Sequence, residues 1–376
     1  MVKFTTQMAA IAAVAIIAVA AAAVYVAADS DDDGGSGTVT VTDVRGRSVS
    51  VPEDVDKIVT LSAGSARLVS YFGQSAVDKI VGIDSYDAKQ KAMPANYYKA
   101  TYRIAYDIES KTDVGSEEST KAIIETGADV IITSMTDVDK ANTLQSTTGI
   151  AVVCVDADGS IDVDDDRFKE DITLVGKVLG MEQRASEFIS GIDQAVAELN
   201  AYNTGSSASP NCYIGGMFYF MKGGFYETTG NYLPFGLVGA ENVMPDSNSG
   251  NPYQTDKNAV MKAGESSGID YIFIDAMTAS DSKTTYQTDK TDLASTVSAA
   301  ADGNIYSNLV YKYYGTNWEM ELINAYYIGS VIDPTVFNYS VEDKVNEILA
   351  LFFLDSDIDY SSVCEKQGMT LCQLDW

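Results

Sequence analysis

KAIIETGADVII, residues 121–132, and KAGESSGIDYIFI, residues 262–274, decide the fold. Set side by side without a gap, the two stretches share Lys, Ala, Gly, Asp and Ile at equivalent places, 141 residues apart (262 − 121). Each reads as a helix, a Gly stop, and then an apolar run of the kind buried in a parallel sheet. A helix–strand unit that occurs twice in a 376-residue chain predicts two similar α/β lobes, each with its own central sheet.

The pattern outside the two copies agrees. TVTVTD (38–43) and RSVSVP (47–52), joined by VRG, alternate with period two and predict a hairpin. IVTL (58–61) is a short apolar run leading into the helical SAGSARLVSYFG (62–73), and KIVGID (79–84) and AVVCVD (151–156) supply further strands. The second half repeats the logic with CYIGGMFYF (212–220) and YIFIDA (271–276). Between the halves, after a break at Gly180, residues Phe188, Ile192, Ala195, Val196 and Leu199 form one stripe at helical spacing. A helix from Glu182 to Asn200 is roughly 30 Å long, about a domain diameter. The expected order is therefore an N-terminal lobe over 38–160, a helical spine over 161–203, a C-terminal lobe over 204–355 and a Cys-containing tail over 356–376.

Residues 8–28 are uncharged and long enough to cross a membrane as a helix, and Val26-Ala27-Ala28 also suits a small-residue cleavage site. An uncleaved anchor and a cleaved signal both stay open. No Cys follows the run to carry a lipid, which favours the anchor. Both readings send the rest of the chain outside the cytoplasm, tethered through the flexible acidic segment 29–37 or secreted. Cys364 and Cys372 flank the turn-rich CEKQGMTLC, and in an exported protein a disulfide is expected there. Cys154 and Cys212 sit in apolar runs and read as buried hydrophobes.

A net charge of −29 with 25 basic residues argues against nucleic acid, whose phosphates require clustered Lys and Arg. The chain has no His, which removes the commonest general base and the commonest transition-metal ligand together. It carries no GxSxG, no P-loop and no zinc spacing. Neither an enzyme nor a resident metal or cofactor is expected.

VTDVRGRSVSVPEDVDKIVTLSAGSARLVSYFGQSAVDKIVGID resembles the opening of the substrate-binding proteins of ABC importers for iron–siderophore, haem and cobalamin. The resemblance rests on Asp43, Gly46, Arg47, Pro52 and Ser62 in order, and on GAD (127–129) and GID (268–270) before a strand in each half. GKVLGMEQRASEFISGI is similar to the family's spine helix, and GLVGAENVMPD (236–246), NIYSNL (304–309) and DPTVF (333–337) to its second-lobe landmarks. Together they cover roughly residues 38–352, and each motif is weak alone. The resemblance implies a monomer whose two lobes clamp a metal chelate or tetrapyrrole-like ligand in the cleft between them. It further implies delivery to a membrane permease driven by an ATPase. An anchored surface sensor or adhesin that keeps the fold, and a carboxylate-based enzyme, are the rival readings.

Such clefts are lined by the loops at the C-terminal ends of the strands. Ser62 and Ser65 follow the first buried strand, where a helix start holds either an anion or merely a cap. Tyr, with 23 copies, concentrates in residues 96–107, 217–232 and 311–320, and offers a flat face with a hydroxyl to a planar ligand. Tyr106, Tyr219, Tyr226, Tyr314 and Trp318 are the aromatic candidates. Arg103 and Lys222 are the candidate partners of a carboxylate-rich ligand. In the family each lobe presents a Glu to the permease, and the matching positions here hold Lys121 and Lys262. Either these lysines dock to an acidic partner, or they are surface charges paired with Glu125 and Glu265 while Glu117 or Glu118 docks.

Overall fold

The computed structural model describes residues 37–89, 92, 98–157, 161–219 and 222–376. The candidate span 8–28 and the tether lie outside these residues. Among the described residues no helix is long and apolar enough to cross a membrane.

The chain opens with the expected hairpin, β1 (Thr38–Thr42) against β2 (Ser48–Pro52), antiparallel with Val41 opposite Val49. Period-two alternation buries Val41, Val49 and Val51 on one face. Asp43 and Arg47 then fasten the hairpin to the lobe. Asp43 accepts from the Arg45 and Arg47 amides, pairs with the Arg47 guanidinium at 3.0 Å, and leaves that guanidinium to donate to the Val152 carbonyl.

The first sheet is wholly parallel, in the order β5-β4-β3-β6-β7. Its strands are β3 (Ile58–Leu61), β4 (Ile80–Asp84), β5 (Thr112–Gly115), β6 (Val130–Thr133) and β7 (Ala151–Cys154). All four residues of β3 and of β6 are buried, as central strands covered on both faces require. The second lobe contributes β8 (Asn211–Gly215), the short β9 (Phe218–Tyr219), β10 (Lys222–Gly223), β11 (Glu227–Thr228), β12 (Glu241–Asn242) and β13 (Tyr253–Gln254), then β14 (Tyr271–Asp275) and β15 (Ile305–Asn308). Its main sheet is parallel, in the order β12-β8-β14-β15.

The two copies of the opening motif do the same work in the two sheets. Gly127 and Gly268 stop their helices at φ +64° and +78°, where a side chain is strained. The next-but-one residue, Asp129 or Asp270, turns its carboxylate onto the start of the neighbouring strand. Asp129 accepts from the Asp56 and Lys57 amides at 2.9 and 2.8 Å, and its own amide donates to the Lys57 carbonyl. Asp270 accepts from the Asn211 amide at 2.9 Å, and its amide donates to the Asn211 carbonyl. The repeat is thus a clamp that registers β3 with β6 and β8 with β14.

A 24-residue helix, Glu182–Gly205, joins the lobes and buries Ala185, Phe188, Ile192, Ala195 and Leu199. Val196, expected on the same stripe, is only half-buried because it lies at the stripe's edge. The spine packs so closely on the helix Val341–Phe352 that a Cβ at Gly191 would meet Leu351 at 2.5 Å. Two further features go beyond the sequence reading. The hydrophobic core is continuous through both lobes, with Trp318 of the second lobe 4.7 Å from Phe168 and 6.3 Å from Tyr71 by ring centroids. The tail over 356–376 is also no appendage. After the helix Tyr360–Gln367, Cys372 accepts from the Ser307 amide and Leu374 donates to Ile305, so the chain end runs antiparallel along β15.

Candidate functional site

Residues beyond the C-terminal ends of strands in the two sheets touch across one seam: Tyr86 after β4 meets Tyr314 beyond β15, and Lys99 donates to Ala276 after β14. Ser62, after β3, takes φ +66° and lies 3.1 Å from the Thr133 hydroxyl at the end of β6. Tyr86 follows β4, and Tyr314 follows β15 with φ +47°. Left-handed backbone at two non-glycine residues costs about 1–3 kcal/mol each and concentrates at functional sites. The Tyr86 and Tyr314 rings meet across the seam at 5.8 Å and remain 57% and 46% exposed, so an aromatic pair stands at its mouth. Tyr313 packs edge-on to Tyr314 at 4.9 Å.

Beneath this pair the lobes are joined by polar side chains. Arg67, on the helix Ser65–Ser70, donates to the Tyr313 and Tyr314 carbonyls at 2.8 and 3.3 Å and stacks over Tyr102. The approach is so tight that a Cβ on Gly315, itself at φ +104°, would sit 2.7 Å from the guanidinium. Lys99 reaches the other way, donating to the Ala276 and Gln367 carbonyls. Tyr71 donates to Glu319, and the Glu321 carboxyl accepts from the Val163 amide. Burial drives these seam carboxyls towards their neutral forms. Asp275, fully buried, is pushed up to about 7, and Asp84 up to about 6 by burial and then by Asp87. Glu319 is raised by burial, and Glu321 is raised well above the usual range by burial and then by Asp162. Burial lowers Lys99, with Asp275 opposing it.

Of the residues singled out from the sequence, Tyr314 stands at this seam against Tyr86, and Ser62 follows β3 with its hydroxyl on that of Thr133. Ser65, Arg103, Tyr106, Tyr226 and Trp318 do not present themselves to it. Ser65 is buried and its hydroxyl is spent on the Leu61 carbonyl, so it offers nothing to an anion. Arg103 is buried in an ion pair with Asp87 at 2.6 Å. Tyr106 is buried and donates to the Leu354 carbonyl. Tyr226 is occupied by Asp289 and packs edge-on to Phe225. Trp318 is fully buried, with its indole N–H on the Ile161 carbonyl; it is a core anchor and not a cleft wall. Tyr219 and Lys222 pair through the β9–β10 backbone, and their side chains fall outside the described residues.

The sequence reading missed Tyr86, Arg67 and Lys99. One signal was available for Tyr86, which follows a buried strand directly. The cysteines Cys364 and Cys372 are both free, which corrects the expected bridge. Cys364 is buried on its helix beside Tyr360, whereas Cys372 is exposed on the strand-like tail held by Ser307. At the outer surface, Lys121 is exposed and 3.7 Å from Glu125, Lys262 and Glu118 are exposed, and Glu117 is half-buried. Among the described residues no three His, Cys, Asp or Glu side chains gather as a metal site.

A family model described as periplasmic binding protein matches residues 58–308. The chain belongs to that family, whose members bind solutes and are not enzymes. A search of curated protein sequences finds no match. Among solved structures, the chain is similar to a periplasmic solute-binding protein from Veillonella parvula, with 19% identity, a TM-score of 0.65, and 87% of this chain and 96% of that one covered. It is similar at 17% identity and TM-score 0.63 to the periplasmic molybdate-binding protein of Haemophilus influenzae, over 85% of this chain and 99% of that one. A Helicobacter pylori protein solved with Ni(II) bound gives 17% identity and TM-score 0.58, over 86% and 98%. At these identities the structures share the fold: two α/β lobes on parallel sheets.

Proposed function

We propose that this member of the periplasmic binding protein family is the extracytoplasmic binding component of an ABC importer. It captures a metal chelate or tetrapyrrole-like ligand between its lobes and hands it to a permease powered by an ATPase. One observation carries the reading: Tyr86, after β4 of the first parallel sheet, and Tyr314, beyond β15 of the second, meet across the lobes as an exposed aromatic pair. Strand ends that face a crevice are where open α/β sheets bind ligands, and exposed aromatic rings suit a planar one. Solved proteins of the same fold bind molybdate and Ni(II), and one from Vibrio cholerae is a haem-binding protein, which supports a cargo of this kind. The uncharged segment 8–28 serves as the anchor that keeps the protein on the outer face of the membrane.

Docking falls to the rims of the lobes. Lys121 and Lys262 stand exposed at equivalent positions on the helices that precede β6 and β14, and we assign them to an acidic face of the permease. Native mass spectrometry of protein purified from its own source tests the function directly. A co-purified chelate or tetrapyrrole, lost when Tyr86 and Tyr314 are truncated together, is the expected result. Recovery of no small molecule, together with no binding of ferric chelates, haem or corrinoids added in vitro, would overturn it.

A further inference from the structure

The spine helix joins the lobes on one side, and residues 356–376 join them again on the side of the mouth. After the helix Val341–Phe352 the chain lies on the first lobe. The Leu354 carbonyl accepts from the Tyr106 hydroxyl at 2.6 Å, and a Cβ on Gly73 would meet the Leu354 carbonyl oxygen at 3.2 Å. The helix Tyr360–Gln367 then packs on the first-lobe helix Tyr102–Ala105. At its end the Gln367 carbonyl accepts from the Lys99 ammonium at 2.7 Å, and the Lys366 ammonium stands 4.6 Å from the centre of the Tyr98 ring.

The rest of the segment is fastened to the second lobe. The Ser307 hydroxyl lies against the Thr370 and Cys372 carbonyls and accepts from the Cys372 amide at 2.8 Å, while the Ser307 amide donates to the Cys372 carbonyl at 3.0 Å. The Leu374 amide donates to the Ile305 carbonyl at 2.7 Å, and the Gln373 side chain to Gly303. Leu374 and Trp376 pack against an apolar cluster built by the second lobe alone, with the Trp376 and Tyr286 rings 6.0 Å apart. Ile358, Tyr360, Met369 and Leu371 pack instead against the core that runs through both lobes. Gln367 itself touches both sides, because its Oε1 accepts from the Val310 amide just beyond β15 while its carbonyl holds Lys99.

The two grips act in series, and little slack separates them. Thr370 follows Gln367 by three residues (370 − 367), which reach at most roughly 10 Å when fully extended. The loop that carries Tyr313 and Tyr314 is the continuation of β15, the strand to which the tail is fastened. Moving that loop away from residues 98–106 therefore pulls on the tail from both ends. The tail adds to the direct bonds that Arg67, Lys99 and Asn317 make across the mouth.

We propose that residues 356–376 are a strap that holds the mouth closed: it is fastened along the edge of β15 and grips residues 98–106 of the first lobe, so the lobes part there only when one of the two grips lets go. The strap is a property of the fold and holds for whichever solute the protein carries. Its release is local, because β15 keeps its ladder to β14 on the other side when the tail peels away.

Hydrogen–deuterium exchange of the full chain, read by peptide mass spectrometry, tests this with Ser307→Ala and Leu374→Pro, each of which weakens only the grip on β15. The amides of Arg103, Ile104, Ala105 and Tyr106 are bonded within the first lobe and report on the far end of the strap. Both variants should quicken exchange in the tail and, by about fivefold or more, across residues 98–106, with the spine 182–205 unchanged. A tail that merely covers a sheet edge would change only itself and β15. Asp270→Ala, which loosens the opposite end of the same sheet, is the control and should leave residues 98–106 at the parent rate. If Ser307→Ala fails to fold, Leu374→Pro still decides. Three results overturn the strap: exchange across 98–106 within about twofold of the parent while the tail has quickened, an equal effect of Asp270→Ala there, or a tail no faster in either variant.

Discussion

Replacing Asp129 and Asp270 singly by Ala tests whether the repeated motif is a clamp. Asp129 holds two backbone amides through one carboxylate oxygen, at 2.9 and 2.8 Å, and Asp270 holds one at 2.9 Å. All three amides are near solvent, so water partly replaces the lost acceptor, and the net value of each bond is about 1 kcal/mol. Asp129→Ala should therefore destabilise the protein by about 2 kcal/mol and Asp270→Ala by about 1 kcal/mol. Asp129→Asn keeps a neutral acceptor and should recover about half of the Asp129→Ala loss. The two sites lie in different sheets and share no partner, so the double variant should cost the sum, about 3 kcal/mol. Equilibrium urea unfolding followed by fluorescence reads this. Trp318 reports on the core common to both lobes, so one transition is expected. An Asp129→Ala variant within about 0.5 kcal/mol of the parent would refute the clamp, because surface substitutions ordinarily fall in that range. So would an Asp270→Ala variant that costs more than Asp129→Ala.

Trp318→Ala should cost about 3–5 kcal/mol by opening a cavity among Tyr71, Phe168 and the spine, and Trp318→Phe less, both read by urea unfolding. A full-strength ligand affinity in a folded Trp318→Phe variant is expected, since the ring does not reach the seam mouth. The pH dependence should run opposite to ordinary acid denaturation. Asp275 and Asp171, both raised to about 7, and Asp84, raised to about 6, contribute stability that is complete below their unfolded values near 4 and is lost as pH rises through 6–7. The urea midpoint should thus fall between pH 5 and pH 8, and Asp275→Asn should flatten the slope. Finally, the double variant Lys121→Glu with Lys262→Glu should abolish uptake in cells and leave ligand affinity intact. Normal uptake would reduce both lysines to solvated surface charges.

Much of the architecture was written in local pattern. The hairpin and the spine carry periods of 2.0 and 3.6, and the buried strands are short unbroken apolar runs, signals that need no tertiary partner to be recognised. The tail escaped notice because its strand character exists only against the open edge of β15, and LCQLDW has no alternation long enough to announce it. The seam was legible only in part. An aromatic at the start of a helix reads the same whether it faces a cleft or a core, and what settled Trp318 was the Ile161 carbonyl 157 positions away in sequence. Arg103 and Arg67 look alike as isolated cations in helical segments. Asp87 pairs directly with one, whereas the other donates to the Tyr313 and Tyr314 carbonyls, a difference that depends on how the helices are brought together.

The distribution of contacts across the seam also limits how the lobes move. On the spine side, Trp318 is locked among Tyr71 and Phe168, and Glu319 and Glu321 are buried beside it, so separation there would expose a large apolar surface along with several polar groups. On the mouth side the links include the Arg67 and Lys99 bonds to four carbonyls, the Asn317 amide donating to the Lys99 carbonyl, and the contact of two exposed rings. Each such bond has a net value of about 1 kcal/mol, so parting the mouth costs a few kcal/mol, comparable to the gap to a minor state populated at the per cent level or below. Any parting of the lobes is therefore expected at the Tyr86–Tyr314 rim and not beside the spine helix, where Trp318 packs on Phe168.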